Sequence, residues 1–213
     1  MTDKNLTHIY VLLDRSGSMQ SIKTDIEGGF AAFADEQRAA PGECRVTLAQ
    51  FDTEYEVVYA DRQVADIGSL VLEPRGSTAL LDSMARLIID SGHRLAELPA
   101  EQRPGTVIVA IMTDGLENSS REWTHAAVKT LVEQQTTNYA WQFLYMGADQ
   151  DAIEVGSQMG IPAAQSVTFG RGKSREAMLN VSGKLASARR RAIELGHNRL
   201  EEFTPEERAD LAE

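Results

Sequence analysis

The sequence predicts an α/β domain with a doubly wound, mainly parallel central sheet, one antiparallel edge hairpin and helices on both faces. Three observations carry this. Short apolar, β-branched runs alternate along the chain with amphipathic stretches of helical period. Two of those runs, 8–14 and 106–112, are apolar almost throughout, as central strands covered on both faces are. No Pro-, Gly- or Ser-rich linker and no internal repeat divides the 213 residues, so a single domain over 6–195 is expected.

The elements follow in order. Strand 8–14 leads into a helical stretch over about 20–39, where Ile22, Ile26, Phe30 and Phe33 recur at three- and four-residue intervals. Pro41 and Gly42 end it. Residues 45–51 and 55–60 read as two strands joined by the tight connection Asp52, Thr53, Glu54, which makes them a hairpin. Residues 73–78 are a loop by composition. Leu80, Leu81, Met84, Leu87, Ile88 and Leu95 mark a second helix, ending near Pro99. Strand 106–112 closes with Thr113, Asp114 and Gly115. Trp123, Ala127 and Leu131 mark a third helix, 141–146 a strand, 151–159 a short helix and 166–169 a last, weaker strand. From 174 to 195, Met178, Val181, Leu185, Ala188, Ala192 and Leu195 share one face of a long helix, with Gly196 as its C′ residue. Residues 196–213 form an acidic C-terminal tail, frayed or briefly helical.

Composition narrows the functional classes. With 42% apolar and 25% charged residues, the chain has ample material for a core. The lone Cys44 excludes a disulfide-stapled scaffold and structural zinc held by cysteines. A net charge of −11 disfavours nucleic acid as a partner, since phosphate contacts need surplus Lys and Arg. Asp3 spoils a basic n-region, the apolar run 9–13 is too short for a signal core, and no stretch reaches the roughly 20 apolar residues of a membrane span. A cytoplasmic location is expected, with no membrane partner. The basic 189–191 run reads as the solvated side of a helix, and pairing of the basic 171–199 segment with the acidic tail is its simplest use.

Ligands of such a sheet bind beyond the carboxyl ends of its strands, in the crevice where strand order reverses. Three places there carry chemistry: Asp14, Arg15, Ser16, Gly17 and Ser18 after the first strand; Gly76, Ser77 and Thr78 before a helix; and Thr113, Asp114 and Gly115 after the second apolar strand. All are hard oxygens and small residues, which suits a divalent hard cation. Magnesium wants six oxygens at about 2.1 Å and binds through only one or two carboxylates. Asp14 supplies an anionic oxygen, Ser16 and Ser18 point hydroxyls from a turning loop, and Thr78 and Asp114 complete the set. Soft metals are disfavoured, because Cys44 stands alone and the histidines at 8, 93, 125 and 197 form no ligand-spaced cluster.

This pattern, Asp14-x-Ser16-x-Ser18, then Thr78, then Asp114, resembles the metal-ion-dependent adhesion site of von Willebrand factor type A (vWA) domains. The order of elements is similar to that family's Rossmann-like fold across about residues 6–195. The resemblance implies that Asp14, Ser16, Ser18, Thr78 and Asp114 hold one divalent cation. Mg²⁺ is favoured, with Mn²⁺ or Ca²⁺ as alternatives, since calcium prefers a richer shell of about six to eight oxygens. It also implies a metal-bridged protein-interaction module rather than an enzyme. The partner offers an Asp or Glu, and an AAA-type ATPase is implied beside it. Arg15, Glu117, Asn118 and Asp149 are rim candidates for partner specificity. The rival reading is a magnesium-dependent phosphatase with Asp14 as nucleophile. It needs an acid two residues later, where Ser16 stands. Residues 170–174 imitate the end of a phosphate-binding loop, but the required earlier glycine is Val167.

Overall fold

The computed structural model describes residues 1–213. Its strands are β1 (Asp3–Asp14), β2 (Glu43–Phe51), β3 (Tyr55–Gln63), β4 (Pro104–Thr113), β5 (Gln142–Ala148) and β6 (Ser166–Phe169). They form one six-stranded sheet in the order β3-β2-β1-β4-β5-β6. Every neighbouring pair is parallel except β2 and β3, the expected hairpin. The predicted fold class is thus the observed one.

Side-chain alternation splits the apolar strands between two cores. Ile9, Val11 and Leu13 of β1, with Ile108, Ala110 and Met112 of β4, pack under α1 (Lys23–Ala39) and α5 (Ser174–Leu195). Tyr10 and Leu12, with Val107, Val109 and Ile111, pack under α2 (Leu80–Glu97), α3 (His125–Tyr139) and α4 (Ala152–Gln158). Covering both faces is what makes the central strands nearly free of polar residues. No helix is long and apolar enough to cross a membrane.

Differences from the sequence reading have local causes. β1 begins at Asp3 rather than residue 8, because the Asp3 N–H donates to Arg103 O at 2.8 Å and extends pairing to the start of β4. The first helix opens with a separate 3-10 turn over Gly17–Ser21. In α3 the buried face is Val128 and Val132, one residue on from the expected stripe, and Trp123 precedes the helix, whose N-cap is Thr124. Leu195 is 64% exposed, off the face its spacing suggested.

Arg189 is the main correction. It is buried, not solvated, and donates to the carbonyls of Gln37, Pro41 and Gly42 at 2.6, 3.1 and 3.0 Å. These belong to the end of α1 and the turn after it, where helical carbonyls lack intrahelical partners. Residues 196–213 lie along β6: Leu200, Phe203 and Leu211 enter the α1–α5 core, and α6 (Pro205–Ala212) starts with a capping box formed by Thr204 and Glu207. Basic helix and acidic tail do pair. Lys184, nearly buried, donates to Glu207 Oε2 at 2.7 Å, and Arg191 pairs with Glu201. Glu207→Gln keeps the capping box, since glutamine serves there equally, but removes the charge facing Lys184 and turns an amide donor toward Lys184 and Asn180. It is expected to cost about 1–3 kcal/mol in urea unfolding and to speed amide exchange in α6.

The chain runs outward from β1 through β2 to β3, then returns on the other side of β1 to start β4. Strand order therefore reverses between β1 and β4, whose carboxyl ends are Asp14 and Thr113. That places the crevice next to Asp14 and Asp114.

Candidate metal centre

β1 delivers Asp14 fully buried at the sheet edge. Its Oδ1 accepts the Ser16 N–H at 2.6 Å, and its Oδ2 accepts the Thr113 hydroxyl at 2.5 Å. The chain then turns so that the Ser16 and Ser18 hydroxyl oxygens lie 3.1 Å apart, and the Ser18 hydroxyl donates to Asp114 Oδ1 at 2.6 Å. Asp114 follows β4 directly. Gly115 defines the remaining space: a Cβ there would lie 2.7 Å from Thr78 Oγ1 and 3.7 Å from both Asp14 Oδ2 and Ser16 Oγ. The structure thus brings Asp14, Ser16, Ser18, Thr78 and Asp114 together around one small cradle, from three loops.

Thr78 is held there from two sides. Its N–H donates to Asn118 Oδ1 at 2.9 Å, and its carbonyl accepts the N–H groups of Asn118 and Ser119. On the other side, Arg75 N–H donates to Arg15 O, Gly17 N–H to Gly76 O and Ala79 N–H to Asp52 O. Gly76 adopts φ +65 where a Cβ would crowd Thr53, so glycine suits this turn. Beneath it, buried Asp52 accepts Arg15 Nε and Arg75 Nε, each at 2.9 Å. Burial alone would raise the Asp52 carboxyl pKa; the two arginines and the Glu54 N–H outweigh it and hold the group below the usual carboxylate range.

The electrostatics favour a cation. Burial pushes the Asp14 carboxyl up to about 6 despite its hydrogen bonds, and the neighbouring Asp114 charge adds to the rise. The Asp114 side chain has no exposed surface, and its Oδ2 accepts no hydrogen bond. The Arg171 guanidinium stands 3.0 Å from that oxygen at an angle unsuited to one. No cluster of three or more His, Cys, Asp or Glu side chains that could hold a metal is present. The ligands on offer here are instead two carboxylates and three hydroxyls, all hard oxygens, one of which accepts no hydrogen bond and faces only the Arg171 guanidinium. That set fits Mg²⁺ or Mn²⁺ and is lean for Ca²⁺.

Three of the four rim candidates also support neighbouring loops. Arg15 is buried against Asp52 and Glu56. Glu117 accepts the N–H groups of Leu81, Ser119 and Ser120, and Asn118 clamps Thr78. Asn118 and Asp149 are exposed, and Asp149 accepts Arg171 Nε at 2.8 Å. Sequence reasoning placed Thr113 at this edge but gave it no role; its hydroxyl positions Asp14. The same reasoning missed Arg171, which lay inside the phosphate-loop imitation.

No family model and no curated protein matches the chain. Solved structures do. Proximal thread matrix protein 1 from the mussel byssus is similar at TM-score 0.58 and 14% identity, over 84% of this chain and 46% of that one. A von Willebrand factor type A structure from Catenulispora acidiphila aligns at TM-score 0.55 and 15% identity, over 84% of this chain and 42% of that one. The vWF domain of the type V pili tip protein Mfa5 from Porphyromonas gingivalis aligns at TM-score 0.56 and 12% identity, over 92% and 97%. The chain spans less than half the length of the first two. At these identities the likeness establishes the vWA-type fold.

Proposed function

We propose that this chain is a divalent-cation-dependent protein-interaction module, without catalytic activity, whose cation is held by Asp14, Ser16, Ser18, Thr78 and Asp114. The observation that carries the reading is the convergence of these five oxygen-bearing side chains at the β1–β4 switch point, with Asp114 Oδ2 buried and without a hydrogen bond. Bound there, Mg²⁺ supplies an electrophilic face suited to a carboxylate oxygen from a partner's Asp or Glu. The chain's own residues prepare that face. Thr113 and the Ser16 N–H orient Asp14, Ser18 orients Asp114, and Asn118 fixes the loop that presents Thr78. Ser16, where a phosphatase would need its proton donor, cannot act as a general acid near neutral pH.

The vWA-type fold of a pilus tip domain supports an interaction role for the same architecture here. The reading further places the module in the cytoplasm, beside an AAA-type ATPase or within a multiprotein assembly. Cys44, single and buried with its thiol pushed up to about 11, is compatible with a reducing compartment. Titration calorimetry is expected to show one Mg²⁺ or Mn²⁺ site in the wild type. In Asp114→Asn the affinity should fall beyond the roughly 10–100-fold that loss of an outer-shell partner costs. Chelator should release captured partners. Undiminished binding in Asp114→Asn, or capture indifferent to chelator, overturns the reading.

A further inference from the structure

We infer that Arg171 is a built-in rival of the cation for Asp114: its guanidinium holds the carboxylate's outer oxygen in the cation-free protein and sets the concentration at which a dication can take it. The inference rests on the cation reading above and concerns a residue outside the five ligands. Arg171 opens the 3-10 turn Arg171–Lys173 after β6, at the far edge of the sheet, and reaches back across the carboxyl end to Asp114.

Its placement is specified by several groups. Nε donates to Asp149 Oδ2 at 2.8 Å, while Nη1 donates to the Ser21 hydroxyl at 2.8 Å and the Ser18 carbonyl at 3.3 Å. These contacts bring Nη1 to 3.0 Å from Asp114 Oδ2. Ser18 thus serves both sides of the contest: its hydroxyl donates to Asp114 Oδ1 while its carbonyl receives the arginine.

The competition follows from charge. The guanidinium occupies the approach to the one buried carboxylate oxygen that lacks a hydrogen bond. A dication binding that oxygen must either displace the arginine or sit within a few ångströms of a fixed positive charge. Displacement is feasible, because Arg171 is 38% exposed and Asp149, which it would leave, is 52% exposed, so both regain water. Asp114 has no such recourse. Its side chain is sealed from solvent and requires a positive partner of one kind or the other. Removing Arg171 leaves the acidic side chains around the cradle without their cationic neighbour and raises their pull on a dication.

The test is calorimetric titration of Mn²⁺ into the wild type, Arg171→Gln and Arg171→Lys, each checked by thermal melting in chelator. Arg171→Gln should bind Mn²⁺ about tenfold more tightly. Arg171→Lys, which keeps the charge, should stay within about threefold of the wild type. Binding detectable only in Arg171→Gln also supports the inference. Equal or weaker binding in Arg171→Gln, with the wild type binding, overturns it and leaves the metal centre standing. Failure of both proteins to bind at millimolar Mn²⁺ overturns the metal centre itself, and the rivalry with it.

Discussion

Asp14→Asn is expected to abolish stabilisation by Mg²⁺ while leaving the cation-free protein at pH 8 at least as stable as the wild type. A carboxylate buried at the sheet edge carries a desolvation cost that its two hydrogen bonds do not cancel, since its pKa stands at about 6. Relative to the ordinary value of 3.8, that is on the order of 3 kcal/mol against folding with the group ionised. Asparagine keeps the shape and can still accept the Ser16 N–H. Its amide then faces Thr113, whose hydroxyl already has a second acceptor in Gly115 O at 3.0 Å. The wild type should gain about 2.7 kcal/mol at a Mg²⁺ concentration a hundred times its Kd, and the variant nothing. A variant that melts later in Mg²⁺ sinks the assignment of Asp14.

The same substitution alters the response to acid. Asp14 has its folded pKa raised, so its contribution is fully present below about pH 4 and is lost as pH rises through 6. His8 behaves in the opposite sense. Burial, helped by Arg45 and Arg94, lowers its pKa from 6.5 to about 3, so its contribution is full above 6.5 and is lost as pH falls. Between pH 4 and 6 the two slopes, each about 1.4 kcal/mol per pH unit, oppose each other. In chelator the wild type should therefore be nearly flat from these two groups, and Asp14→Asn should lose stability toward acid at about that rate. Urea unfolding at pH 4, 5 and 6 distinguishes the two. Parallel profiles overturn the account.

What could be read in advance divides along physical lines. Period and β-branching disclosed the central strands, because a strand buried on both faces leaves no room for polar side chains. The meeting of Asp14 and Asp114 at one edge was legible from the rule that ligands gather where strand order reverses, and that of Ser16, Ser18 and Thr78 from their place in the loops beside it. Arg15 is buried rather than on the rim, and Glu117 and Asn118 brace neighbouring loops, for one reason. A polar residue on a loop looks alike whether it faces solvent or satisfies the backbone of a neighbouring loop. Only the three-dimensional path shows that the Leu81 N–H, 36 positions away, reaches Glu117. Arg171 is the extreme case, since Ser18 is 153 positions away in the chain and no local pattern links them.

Arg189 illustrates the same limit and yields the largest stability change expected. An arginine run on a helix reads as solvated, yet Arg189 is 1% exposed and binds the end of α1 through Gln37, Pro41 and Gly42 carbonyls and the Gln37 side chain. Arg189→Met preserves much of the bulk but strands the buried Gln37 carbonyl and side-chain oxygen, while the carbonyls of exposed Pro41 and Gly42 turn to water. A loss of about 2–4 kcal/mol in urea unfolding is expected, against a typical domain stability of about 5–15. Arg189→Lys should recover only part of it, because an ammonium lacks the planar fork that spans these oxygens. The contact sits beside the start of β2, at the opposite end of the sheet from the carboxyl edge where Asp14 lies. Mn²⁺ affinity measured below the melting transition should therefore match the wild type, since distant sites contribute independently. A destabilisation under 1 kcal/mol would show that the carbonyls find other partners and that Arg189 does not hold α1 and α5 together.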